Sequence, residues 1–167
     1  MGEEGSWDQT IQEWIVDTGY AYAGALAQKE DGAFFAAAPV AGEAGWGFVF
    51  MEDHEVDVTQ EDGETVKKET INEPTSLKYV VDNCKATPSG LWLGGQKYRV
   101  VTGEPKFESG DYTFTQIFAA GTKKGVHISG TSTMIVAGFY DEEKGQTSGN
   151  CKKVVVAFAE YLASIGY

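Results

Sequence analysis

The chain has 167 residues and a formal net charge of -12. A chain of this length typically buries about 70% of its unfolded surface, so we expect one domain over residues 1–167 without a metal or disulfide staple. The negative charge argues against nucleic acid or an anionic membrane surface as partner, because such binding depends on Lys and Arg displacing counterions.

The first predicted element is an amphipathic helix in which Trp7, Ile11, Trp14 and Ile15 recur at helical spacing, ending near residue 18. Residues 1–6 match a loose pattern for myristoylation. The alternative explanation of Ser6 is that it forms a capping box with the Gln three residues later, at the start of this helix. No secretory signal or 18-residue apolar run is visible, so a soluble protein is expected.

Two hairpins are predicted next. Residues 20–27 and 33–38 flank an Asp31-Gly32 pair, and Asp-Gly between apolar runs is a hairpin signal. The apolar segment 43–51 fits a short helix or a loop, and helix is favoured. Residues 52–70 are acidic and alternate polar with apolar positions around Asp62-Gly63, which predicts a projecting hairpin insert.

The second half is predicted as a helix, five strands and a final helix. Asn72 can cap a helix over residues 73–81, with Leu77, Val80 and Val81 facing the core. Short strands follow at 91–93, 97–102, 112–119, 125–129 and 133–140, a spacing typical of an antiparallel meander. The last helix begins near Asn150 and ends before Gly166. The fold class is therefore α+β.

Catalytic chemistry has little support in this sequence. His54 and His127 belong to no metal or nucleophile motif, and Asp141 opens an acidic loop without the ligand spacing of a calcium site. Cys84 and Cys151 fit neither zinc nor disulfide spacing, which suits a reducing cytoplasm. We expect a protein that is not an enzyme and holds no metal or cofactor.

Binding chemistry is better supported. If the sheet brings both termini together, the aromatic side chains of the two terminal helices form a stacking surface. Such a surface suits a polyproline II segment, which has little conformational freedom to lose. The alternative, that Trp7 and Tyr161 simply pack in the core, stays open at this point.

Four segments together resemble the profilin family, over residues 6–167. They are Ser6-Trp7, the run from Leu91 to Tyr98, the loop from Tyr140 to Lys144, and the run from Phe158 to Leu162 with the final Gly166-Tyr167. The hairpin at 52–70 and the acidic loop after residue 140 are similar to the subtype found in apicomplexan parasites. The resemblance implies a central antiparallel sheet with both terminal helices on one face, shorter helices on the other, and the acidic hairpin as an insert.

The resemblance also implies two binding surfaces. Proline-rich segments would stack on Trp7, Phe35, Tyr161 and Tyr167. Thr10 departs from a tyrosine that many profilins carry, which removes one stacking face. Monomeric actin would contact the following residues: Lys97, Arg99, Lys123, Lys124, Gly149, Lys152 and Lys153.

The function implied is regulation of actin polymerisation in the cytoplasm and cytoskeleton, by a monomer that hands actin to proline-rich assembly factors such as formins. Thr102 departs from a basic residue of animal profilins and removes one charge from the actin surface. Host innate immune receptors are a further partner implied by the parasite subtype. The alternative is a small-ligand sensor or scaffold domain whose aromatic residues line an internal pocket.

Overall fold

The computed structural model describes residues 6–38, 49–59, 62–86 and 90–167. A seven-stranded antiparallel sheet in the order β2-β1-β9-β8-β7-β6-β5 forms its centre, and β3 pairs with β4 in a separate hairpin. The strands are β1 Ala23–Gln28, β2 Phe34–Ala38, β3 His54–Thr59, β4 Val66–Ile71, β5 Leu91–Leu93, β6 Gln96–Ser109, β7 Tyr112–Gly121, β8 Lys124–Gly130 and β9 Met134–Asp141.

Helices cover both faces of the sheet. Helix α1 (Ser6–Ile11), a π-helical turn (Gln12–Val16) and the last helix α3 (Ser148–Ser164) pack on one face over one apolar cluster. Helix α2 (Glu73–Asn83) packs on the other face over a second cluster. The predicted α+β arrangement, with both terminal helices on one face, is confirmed.

The terminal helices approach the sheet closely because two glycines lie beneath them. Gly24 on β1 and Gly138 on β9 are cross-strand partners. A Cβ at Gly24 would lie 2.9 Å from Ile11 Cγ2, and one at Gly138 would collide with Val155 Cγ2. Interiors are packed to crystal-like density, so even one added methyl is felt. These two glycines set the depth at which α1 and α3 pack.

Local sequence signals explain helix α2 and the turn of the acidic hairpin. The Asn72 side chain accepts a hydrogen bond from the Thr75 N–H, as an N-cap does. Leu77, Val80 and Val81 are buried as predicted. In the hairpin, Asp62 accepts hydrogen bonds from two backbone N–H groups at the predicted turn.

A buried carboxylate joins the hairpin to the sheet. Glu73 accepts hydrogen bonds from the N–H groups of Met51 (2.9 Å), Gly94 (2.8 Å) and Gly95 (2.7 Å). Burial raises the pKa of Glu73, and the three N–H donors oppose that rise. Above the hairpin base, the ring of His54 lies edge-on to Trp92 at 5.6 Å. The carboxylate therefore ties together the entry to the hairpin, α2 and the β5–β6 turn.

Three elements differ most clearly from the sequence prediction. The first helix continues as a π-helical turn, closed by the Asp17 N–H donating to the Gln12 carbonyl at 2.8 Å. Strand β6 continues to Ser109 through two irregularities in its pairing with β7. Helix α3 begins at Ser148 because Thr147 caps it. Most of the helix favoured at 43–51 lies outside the described residues.

Candidate functional site

The two chain ends meet at one end of the seam between the terminal helices. The ring of Trp7 lies edge-on to that of Tyr167 with centroids 5.4 Å apart. Edge-to-face pairs of this kind place the positive edge of one ring against the negative face of the other. The sequence expectation that first and last segments become neighbours is therefore confirmed.

A second ring pair lies further along the same seam. Trp14 stacks on Tyr161 with centroids 4.8 Å apart and on Phe158 at 5.8 Å. Trp7 meets a residue late in the chain, whereas Trp14 meets earlier ones, so the two helices run antiparallel. We call the five rings the aromatic seam: Trp7, Trp14, Phe158, Tyr161 and Tyr167.

The seam combines buried support with exposed ring surface. Phe158 is fully buried, whereas Trp14 and Tyr167 are 37% and 39% exposed. Phe35 lies on β2, partly buried against the same apolar cluster. The Asp8 carboxylate accepts a hydrogen bond from the Ala37 N–H at 2.9 Å, which fixes α1 against that strand. The rings are thus held in place while part of their surface faces solvent.

Trp14 is the residue that sequence reasoning missed. The apolar stripe of the first helix includes it, but stripe membership alone predicts burial rather than an exposed ring. The available signal was the seven-residue interval from Trp7 to Trp14, which places two indoles on one helix face two turns apart. That signal becomes specific only once Tyr161 is seen opposite.

Cations collect at one end of the sheet. Arg99 on β6 pairs with Ala120 on β7, next to Gly121. Gly121 pairs with Lys124 on β8, and Lys124 pairs with Asp141 on β9. Helix α3 begins seven residues after Asp141, which brings its first turns to the same end. We call this region the cationic end, defined by Lys97, Arg99, Lys123, Lys124, Gly149, Lys152 and Lys153.

The cations of this end lie on both faces of the sheet. The Lys152 ammonium lies 4.8 Å from the centroid of Phe107, on the side of the terminal helices and displaced along β6 from Arg99, since Phe107 pairs with Phe114. The Lys124 ammonium lies 5.9 Å from the centroid of Tyr22, on the α2 side. The predicted residues are therefore divided between the two faces of the sheet rather than forming one flat patch.

The remaining cations of this end face solvent. Lys123 pairs with Glu143 at 3.8 Å, and both side chains are exposed. Lys97, Arg99 and Lys153 are also exposed. Exposed cations of this kind add little to folding stability, since a surface ion pair contributes about 0–1 kcal/mol. They are free to meet an acidic partner.

A buried histidine supports the start of α3 beneath these cations. His127 Nε2 lies 2.8 Å from Ser148 Oγ, and its ring stacks on Phe118 at 4.7 Å. Burial, and then the neighbouring Lys152 ammonium, lower the pKa of His127 to about 4. The imidazole is therefore neutral at physiological pH and acts as a packing and hydrogen-bonding group.

Other chemistry is sparse in the described part of the chain. Among residues 6–38, 49–59, 62–86 and 90–167, no three His, Cys, Asp or Glu side chains come together in a way that could hold a metal ion. Burial raises the pKa of the Cys151 thiol to about 12, so it is held as an unreactive thiol that donates to the Gly138 carbonyl. Within those residues no helix is long and apolar enough to cross a membrane.

Comparison with known proteins gives consistent matches along the chain. The family model described as Profilin matches residues 5–167. Profilin from Plasmodium falciparum (isolate 3D7) is 34% identical over 171 residues, covering 98% of each chain. Profilin from Plasmodium berghei is 31% identical over 168 residues, covering 96% of this chain and 94% of the relative.

Solved structures show the same fold at lower identity. Acanthamoeba castellanii profilin IA matches with a TM-score of 0.62 and 21% identity, covering 96% of this chain and 99% of its own. Mouse profilin IIa, solved in complex with a double repeat from the FH1 domain of mDia1, matches with a TM-score of 0.59 and 18% identity at the same coverage.

Proposed function

The chain belongs to the profilin family, of apicomplexan type, and from that premise we propose that it binds monomeric actin and proline-rich segments and so regulates actin polymerisation. The cationic end takes actin, and the aromatic seam takes proline-rich segments of assembly factors such as formins. The protein acts in the cytoplasm, at the cytoskeleton. Occupying both surfaces at once would deliver actin to a filament end.

The proline-rich half of this proposal depends on one observation, the contact of Trp7 with Tyr167 at 5.4 Å. Proline rings stack on aromatic faces, and indole N–H and phenol O–H groups can meet the unpaired carbonyls of a polyproline II segment. The similarity to a mouse profilin solved with an FH1 repeat supports formins as partners. The small-ligand alternative is less favoured, because Trp14 and Tyr167 face solvent rather than an internal pocket.

The actin half is supported by the grouping of cations in a chain of net charge -12. Strand register brings Arg99 and Lys124 to one end of the sheet, and the start of α3 lies near it, where Ser148 Oγ is 2.8 Å from His127 Nε2. Two lysines in the first turns of a helix are unfavourable for the helix dipole. A local cationic surface on an acidic protein meets an acidic partner by electrostatic complementarity.

A crossed experiment separates the two surfaces. We expect Trp7→Ala to weaken binding of a polyproline peptide by about 2 kcal/mol or more while leaving actin affinity largely intact. We expect Lys97→Glu with Lys153→Glu to weaken actin binding while leaving peptide affinity intact. Binding to monomeric actin and to a labelled proline octapeptide would be titrated for both variants.

The actin half and the proline-rich half of the proposal can each be contradicted independently. Unchanged actin affinity after the double charge reversal would contradict the assignment of the cationic end. Wild-type peptide affinity in Trp7→Ala would contradict the assignment of the seam. A thermal melt of each variant checks that a lost interaction is not a loss of folding.

A further inference from the structure

The Trp14 end of the aromatic seam has an acidic environment, in contrast to the cationic end. Between Ser6 and Gln28 the charged side chains are Asp8, Glu13 and Asp17, and all are acidic. Glu13 and Asp17 are exposed and lie one residue before and three residues after Trp14. A cation near Trp14 would therefore meet negative charge along this helix.

The Trp14 ring is placed to receive such a cation. One part of the indole stacks on Tyr161 and Phe158, while 37% of the residue remains exposed. An ammonium or guanidinium group within about 6 Å of an indole face gains about 0.5–1 kcal/mol at an exposed site. The stacking partners hold the ring in one orientation, so little side-chain entropy is lost on binding.

The spacing of the two ring pairs fixes where that cation lies on a ligand. Trp7 and Trp14 are seven residues apart, and Trp14 lies in the π-helical turn, so their separation along the axis is no more than the roughly 10 Å of a regular α-helix. A polyproline II segment rises about 3.1 Å per residue, so the same distance spans three to four ligand residues. A ligand with a proline on Trp7 and Tyr167 therefore presents its residue three or four positions away to Trp14.

We propose that the Trp14 end of the seam recognises a Lys or Arg that flanks a proline run, so that this protein prefers proline-rich segments with a basic residue three to four positions from the anchored proline. The proposal rests on the proline-rich half of the proposed function and adds the kind of partner. Glu13 and Asp17 attract the basic residue, and the open face of Trp14 receives it. The acidic surroundings would disfavour a proline run flanked by Asp or Glu.

The test compares five matched peptides of eight prolines, one flanked by Ser at both ends and four in which Lys or Glu replaces one of the two Ser residues. The basic or acidic residue is placed at either end in separate peptides, because the seam geometry leaves the ligand direction open. Affinity is measured by fluorescence anisotropy of a neutral N-terminal label, in about 50 mM and about 500 mM NaCl. We expect one Lys peptide to bind about 3- to 10-fold more tightly than the Ser peptide at low salt, and within about twofold of it at high salt.

Two variants locate the effect. Glu13→Gln with Asp17→Asn should remove most of the Lys preference while leaving affinity for the Ser peptide unchanged. The matched control is Glu55→Gln with Asp57→Asn, which removes the same two charges from exposed positions on β3 of the hairpin. We expect this control to keep the preference. Trp14→Leu keeps an apolar side chain on Phe158 and Tyr161, and should also abolish the preference.

The possible results separate the preference for a basic residue from the proline binding on which it rests. Equal affinity for the Ser and Lys peptides, with both binding and both lost in Trp7→Ala, would overturn the basic preference and leave the proline-binding seam standing. The proposal would also be overturned if the Glu13/Asp17 variant and the hairpin control lost the Lys preference equally, because the net charge of the protein would then be the cause. Failure of every peptide to bind would overturn both.

Discussion

The aromatic seam and the cationic end are built in opposite ways. The seam consists of rings that contact one another, with Trp7 on Tyr167 and Trp14 on Tyr161, above a fully buried Phe158. The cationic end consists of side chains that mostly project separately into solvent from several strands, a turn and a helix. Binding at the seam should therefore depend on a few large contacts, whereas binding at the cationic end should be spread over many small ones.

The largest expected effect breaks the support of the seam. Gly138→Ala adds a methyl that collides with Val155 of α3, and should lower the free energy of unfolding by about 2 to 3 kcal/mol. The matched control lies at the cationic end, where a Cβ at Gly149 meets nothing within 4 Å. Gly149→Ala should leave stability unchanged or raise it by up to about 1 kcal/mol, because Ala favours the helix. Urea unfolding of both variants measures the difference, and equal destabilisation would contradict it.

The next effect concerns pH and the support of the cationic end. Because the pKa of His127 is lowered to about 4 from an ordinary value near 6.5, the unfolded chain binds a proton between these values that the folded chain does not. Stability from this group is therefore complete well above pH 6.5 and is lost as pH falls towards 4, by about 2 kcal/mol at pH 5.

His127→Gln tests that pH effect. The wild-type protein should lose more unfolding free energy than the variant between pH 7 and pH 5, since the titrating carboxylates are common to both. Glu73 acts in the opposite direction in each protein, because its raised pKa favours the protonated folded state as pH falls. If the unfolding free energies of the two proteins, measured in urea, fell in parallel with pH, His127 would not be the cause of the loss of stability.

Salt should sharpen the comparison without any mutation. Raising NaCl from about 50 to about 200 mM shortens the screening length from roughly 14 to 7 Å, so actin affinity should fall several-fold. Affinity for an uncharged proline peptide should change less than about twofold, because ring stacking carries it. Both affinities can be measured on one preparation, and the same salt response at the two surfaces would remove the distinction.

The smallest effect is expected at the Lys123–Glu143 ion pair of the cationic end. Lys123 and Glu143 are 3.8 Å apart and both exposed, so Lys123→Gln should change the free energy of unfolding by less than about 0.5 kcal/mol. A loss above about 1 kcal/mol would mean that Lys123 supports the β7–β8 turn rather than being available to a partner. Thermal or urea unfolding decides between these outcomes.

Sequence alone determined the features that depend on near neighbours. The Asp31-Gly32 and Asp62-Gly63 pairs correctly predicted both hairpins, and Asn72 correctly predicted the start of α2. Tight turns and helix caps depend on interactions within a few residues of the chain. Helical periodicity gave both terminal helices for the same reason. The length of β6 was underestimated, since its pairing with β7 continues through irregularities that no local pattern marks.

Only the tertiary structure decided which side chains share a surface. It stacked Trp14 on Tyr161, placed Lys124 and Lys152 on opposite faces of the sheet, and made Glu73 the acceptor for three distant N–H groups. Each of these depends on strand register and on the depth at which helices pack over Gly24 and Gly138. Such contacts join residues far apart in the chain, and a one-residue change of register would move every side chain of a strand to the other face.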